Sequence, residues 1–324
     1  MKLATSRQLV TPTRLKTTVP EALKADLPPS KWGKILSGTP VVLAVVATML
    51  AGLASSEMTK AQYDRSFAAQ LQSKAGDQWS FFQAKRLRSA LQNNTLDVIL
   101  NTSGRSPVDR SAWLQALAGT PLAAELATPA GETTLGILSD RTLPKLPPAA
   151  PVPLNIHAAL NALETGRPEA EFVGQLAQVS DLDLEVAVRS AREQTLALDH
   201  VLKPIGQVVD RMEQQLDRAQ TDAAVRGSFI AARLGYNARR YDAEARLNQG
   251  VAVLYELQVR KANLSSERHH RRSQKFFFGM LAAQLGVIVS TLAIAARQRN
   301  ILWGVAAVAG AAAVAFAGYV YVFV

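Results

Sequence analysis

Three stretches without Asp, Glu, Lys, Arg or His set the limits on how this chain can fold: Ile35–Ala54, Phe276–Ala296 and Ile301–Val324, of 20, 21 and 24 residues. A hydrocarbon layer about 30 Å thick is crossed by roughly 20 apolar residues in a helix. Each stretch therefore predicts a transmembrane helix. The expected architecture is an all-α integral membrane protein, anchored once near the start of the sequence and twice near its end. The first span is read as a retained anchor rather than a cleaved leader, because 20 residues exceed an ordinary signal-peptide core.

The spans divide the remainder. Residues 1–34 form a basic tail rich in Thr and Pro, 35–54 the first span, and 55–100 a stalk helix. Residues 101–155 read as an irregular Pro-rich insertion, with 128–153 as an exposed linker. Residues 156–275 read as a helical, coiled-coil region, followed by the spans 276–296 and 301–324. No stretch alternates as a strand would. The stalk and 156–275 together predict an elongated helical region.

The net charge of +10 is uneven. Lys2, Arg7, Arg14, Lys16, Lys24, Lys31 and Lys34 crowd the tail, and Arg297 and Arg299 sit in the short turn between the last two spans. With three spans, tail and turn lie on one side, and the positive-inside rule assigns them to the cytoplasm. The large Ser55–Lys275 region is then expected outside it, in the periplasm if the membrane is a bacterial inner membrane. Arg271, Arg272 and Lys275 crowd the end of the second span, and this argues the other way. Lys31, Lys34, Arg271, Arg272, Lys275, Arg297 and Arg299 are the expected topology-setting or lipid-facing cations, with anionic lipid as the partner. No nucleic-acid module accompanies the charge.

Little chemistry is written in the middle region. Phosphate-loop, dinucleotide, zinc-helix and serine-elbow motifs are absent. The chain has no cysteine, so no disulfide or thiolate site. His269 and His270 are adjacent, point about 100° apart on a helix, and sit among arginines. No catalytic, cofactor-binding or metal-ligating residue is expected, and no cofactor.

Packing residues are easier to nominate. Tyr63, Phe67, Leu71, Trp79 and Phe82 are spaced as a buried seam on the stalk helix. In the membrane, Gly279, Gly286, Gly304, Gly310 and Gly318 let helix backbones approach closely. Gln284 is expected to make an interhelical hydrogen bond. The glycines serve either the hairpin within one chain or an interface between copies.

The run Asp77-Gln78-Trp79-Ser80-Phe81-Phe82-Gln83-Ala84-Lys85, together with Phe278-Gly279-Met280-Leu281-Ala282-Ala283-Gln284 and Leu302-Trp303-Gly304, resembles the bacterial membrane-protein family called domain of unknown function 4337. The resemblance covers about 55–90 and 240–310. It implies one N-terminal span, a helical soluble part and a terminal hairpin, and carries no activity with it. The expectation is a non-enzymatic, homo-oligomeric scaffold or envelope-organising protein. The alternatives are an oligomeric channel or membrane-perturbing effector, and a sensor or accessory subunit with an unidentified protein partner.

Overall fold

A computed structural model describes residues 31–102, 109–140, 142–145, 151–219, 221–295 and 299–323. Most of the basic tail and Arg297 lie outside these residues, as do the side chains of Lys31 and Arg299. Among the described residues the chain is helical, without strands. The helices are α1 (Lys31–Thr102), α2 (Arg110–Ala116), α3 (Pro121–Leu126), α4 (Pro129–Asp140), α5 (Leu154–Glu164), α6 (Glu169–Ala177), α7 (Asp181–Arg218), α8 (Ala223–Ala295) and α9 (Arg299–Phe323). Three helices, α1, α8 and α9, are long and apolar enough to cross a membrane.

Two compact units form: Met1–Ala61 with Glu267–Val324, and Gln62–Ser266. The first holds the three apolar segments. Its core is Ala47, Leu50, Ala54, Phe276, Ala283, Ala313 and Val320. Glycine lets these helices approach. A Cβ added to Gly286 would meet Leu43 Cδ1 at 3.1 Å and the Ala306 carbonyl oxygen at 3.4 Å. One added to Gly279 would meet Leu50 Cδ1 at 3.4 Å and Phe316 at 3.8 Å. As the position on α8 rises from 279 to 286, the facing position on α9 falls from 316 to 306, so the two run antiparallel. The Trp303 indole donates to Thr39 Oγ1 at 3.0 Å, which ties α9 to α1.

The expected membrane packing set therefore splits. Gly279, Gly286 and Gly310 are buried in the bundle of one chain. A Cβ on Gly304 or Gly318 would meet nothing within 4 Å. Gln284 is exposed rather than buried between helices; it points outward because Ala283 and Gly286 occupy the packed face.

In the second unit, α2, α3 and α4 pack on α7 and α8. Trp113, Leu117, Leu122, Leu126, Leu135 and Leu138 join Leu202, Met212 and Phe229 in one core. The expectation of an exposed linker over 128–153 is corrected for residues 129–140, since Pro129 opens α4 instead of breaking structure; residues 141 and 146–150 of that stretch lie outside the described residues. Proline is tolerated at the first helical position, where its missing N–H has no intrahelical acceptor. Thr128 Oγ1 accepts the Gly131 amide at 3.2 Å. A Cβ on Gly131 would come within 2.4 Å of the Leu126 backbone, so the tight α3–α4 corner requires glycine. Asp109 caps α2 by accepting from the Ala112 amide, and Ser180 caps α7 through the Asp183 amide. Helix α7 continues through Pro204.

A second core joins α5 and α6 to Leu71, Ala75, Val251, Leu254 and Leu257. The proposed aromatic seam of α1 is corrected by this packing. Leu71 is buried, Trp79 and Phe82 are half-buried, and Tyr63 and Phe67 are 72% and 44% exposed. Sixteen residues at 100° each set Tyr63 and Trp79 about 160° apart, so steps of four drift off any one face. The buried positions of α1 in this unit are Ala68, Leu71, Ala75, Ser89 and Leu96. Their steps of 3, 4, 14 and 7 follow a period of 3.5, the signature of a helix-pair seam.

Candidate functional site

The motif helix earns its position through polar contacts with α8. The Trp79 indole donates to Glu256 Oε1 at 2.7 Å and stacks edge-on against Phe82, with ring centroids 5.4 Å apart. Lys85 forms an ion pair with Glu244, which also accepts from Arg240 Nε at 2.8 Å. Arg86 meets Asp242 at 2.6 Å. Ser89 Oγ donates to the Ala238 carbonyl at 2.8 Å. As positions on α1 rise from 79 to 89, their partners on α8 fall from 256 to 238, so the two segments are antiparallel and locked in register.

Charge is concentrated at this joint, where each named acid meets a donor from the other helix or its own. The Tyr241 ring carries Lys85 Nζ 5.2 Å from its centroid, with Arg240 at 5.8 Å and Arg88 at 5.9 Å. Such cation–π contacts contribute about 0.5–2 kcal/mol each, more as they lose water. Glu244 is buried and would be costly alone; Lys85 and Arg240 offset that cost. Burial pushes the neighbouring Tyr236 phenol above its ordinary pKa, while Arg240 pulls it the other way. Lys85 is half-buried in the joint; Gln83 and Asp77 are exposed.

A second polar cluster sits in the first unit, just beyond the uncharged part of α1. Glu57 accepts from Lys60 Nζ at 2.9 Å, and its other oxygen lies 2.6 Å from His269 Nδ1. Burial raises the Glu57 pKa, but the hydrogen bonds from Lys60 and His269 outweigh it and hold the carboxyl below its ordinary value. Ser273 Oγ donates to the Ala54 carbonyl at 2.8 Å. The adjacent histidines diverge, as their angular offset requires: His270 Nε2 lies 3.0 Å from Gln274 Nε2 instead of joining Glu57.

Of the expected cations, Lys34 and Arg271 are exposed, and Arg272 and Lys275 are half-buried. Arg271 pairs with Glu267 at 2.8 Å, and Lys275 lies over the Tyr319 ring at 5.6 Å. Among the described residues, no three His, Asp or Glu side chains stand close enough to hold a metal ion.

Sequence reasoning missed Glu57, Glu244, Glu256 and Asp242 as partners. Their one signal was an acidic residue on a buried or half-buried helical position, which only the partner helix makes visible. No curated protein and no solved structure matches the chain. The family match also reaches further than the motif alone suggests, running on through α2, while 240–310 lies outside it. Over residues 32–120 the chain is similar to the family described as Domain of unknown function (DUF4337).

Proposed function

We propose that this protein is a non-enzymatic, membrane-anchored scaffold that assembles with copies of itself and organises a bacterial envelope. In this reading α1, α8 and α9 cross the inner membrane, and the region Ser55–Lys275 lies outside the cytoplasm.

The outer face of α1 carries the proposal. Leu87, Leu91 and Val98 are 71%, 60% and 60% exposed. Steps of four and seven keep them within about 40° of one another on the helix. They lie opposite Ser89 and Leu96, which are buried against the rest of the chain. The helix thus has two apolar stripes, and its own chain covers one. Burying the other would contribute about 25 cal/mol per Å² removed from water. A second copy supplies an identical stripe in the same membrane.

Two further features favour a scaffold. Lys85, Arg86 and Arg88 on this part of α1 are engaged in ion pairs or cation–π contacts with α8, which leaves them structural work. The interior of the three-helix unit is filled with Ala, Leu, Phe and Val, which favours a solid anchor over a pore through one chain.

The absence of cysteine makes the test direct. Leu91→Cys, oxidised in native membranes, is expected to give a disulfide-linked dimer, and Arg189→Cys on α7 is expected to give far less. Equal cross-linking at both positions, or none at Leu91→Cys, would overturn the α1 interface.

A further inference from the structure

A cleft of about 630 Å³ opens on the surface of the first unit, between α1 and α8. Its volume falls within the range of small-molecule sites. Its walls divide by chemistry. Ala51, Ala54, Phe277, Phe278 and Met280 belong to the uncharged stretches, while Ser55, His270 and Gln274 lie just beyond them. The cleft therefore straddles the boundary between apolar and polar sequence. Phe277 and Phe278 are 46% and 62% exposed, so the apolar wall is open.

The polar end sits on helix turns rich in cations. Lys60, Arg268, Arg271, Arg272 and Lys275 cluster with two histidines within three turns of α8 and one of α1, against Glu57 and Glu267. Both acids are already engaged: Glu57 by Lys60 and His269, Glu267 by Arg271. Cations therefore outnumber acids on the turns of α8 that carry His270 and Gln274. An apolar trough ending in a cationic rim at the membrane boundary complements an amphiphile with a negative head.

We infer that this cleft is a binding site for one anionic phospholipid, with an acyl chain along Phe277, Phe278 and Ala51 and its phosphate at His270 and Gln274, flanked along α8 by Arg268, Arg271, Arg272 and Lys275. Basic pockets between membrane helices bind anionic head groups by this charge matching. The inference goes beyond the scaffold proposal and rests only on its reading that α1 and α8 span a membrane.

The test uses the full chain in nanodiscs of mixed phosphatidylglycerol and phosphatidylcholine, released from lipid and weighed intact by native mass spectrometry. Wild type is expected to retain one phosphatidylglycerol per chain, at least tenfold in preference to phosphatidylcholine. Ala51→Phe fills the trough without changing charge and is expected to abolish retention. The double variant His270→Ala/Arg271→Gln is expected to retain both lipids equally. Equal retention of the two lipids by wild type overturns the site, with no dependence on any variant folding. So does unchanged retention in Ala51→Phe. Resistance to alkaline carbonate extraction reports membrane insertion separately, so failure of the lipid site and failure of the spanning reading give different results.

Discussion

Gly310 on α9 stands directly against Leu43 on α1: a Cβ on Gly310 would come within 2.4 Å of Leu43 Cδ2. This glycine is thereby a packing residue of the three-helix unit within one chain. Gly310→Leu is expected to loosen that unit while leaving insertion intact, because the segment stays apolar. Overpacking of this kind costs about 1–3 kcal/mol. Gly318→Leu, with open space around the glycine, is expected to be neutral for the same unit. Thermal unfolding in detergent checks both, and equal melting temperatures for the two variants would contradict the contact.

The α1–α8 joint predicts an order of effects. Glu244→Gln leaves Lys85 and Arg240 without their shared carboxylate and is expected to destabilise by about 2–4 kcal/mol. Lys85→Met leaves Glu244 its bond to Arg240 and is expected to cost less, about 1–2 kcal/mol. Denaturant unfolding of the two variants decides this. The reverse order would mean that Lys85, not Glu244, is the hub of the cluster.

Trp113 is fully buried against Phe229, with its indole donating to Ser228 Oγ at 2.9 Å. Trp113→Ala is expected to cost about 3–5 kcal/mol. Trp79→Ala, at a half-buried position, is expected to cost clearly less than the full cost that a buried seam position would carry. Tryptophan fluorescence during unfolding follows both variants.

Acid is expected to weaken the first unit through Glu57. Its folded pKa lies below the ordinary 4.5, so the carboxylate's contribution is present above that value and is lost as pH falls through the folded pKa. The difference in melting temperature between wild type and Glu57→Gln is therefore expected to be present at pH 7 and to shrink below about pH 4.5. A difference that stays constant into acid would remove Glu57 from the account.

The three long apolar helices were legible because twenty uncharged residues have few alternatives in water. The helical class was legible for a related reason: long Ala-, Leu-, Arg- and Gln-rich runs carry a period near 3.6. The α1 seam was hidden by its own composition. Ala68, Ala75 and Ser89 are small or polar and draw no attention, whereas Tyr63 and Phe67 are large and exposed. Size outweighed angle in that reading, and angle decides burial. The segment 129–140 was misread because Pro129 looks like a breaker until it is placed at the first turn of a helix. The bond from Trp79 to Glu256 crosses 177 residues of sequence, and no local pattern announces a pairing at that distance. Gly279, Gly286 and Gly310 were legible as close-packing residues, but which helices they admit followed only from the structure.

Self-assembly is the claim on which the account depends. The most direct measurement is the native mass of the full chain, extracted in a gentle detergent. The account predicts a defined multiple of 34.9 kDa, reduced to a single chain by the pair Leu87→Glu/Leu91→Glu with helix content unchanged. A wild-type mass of one chain would contradict it, as would an assembly that survives both substitutions.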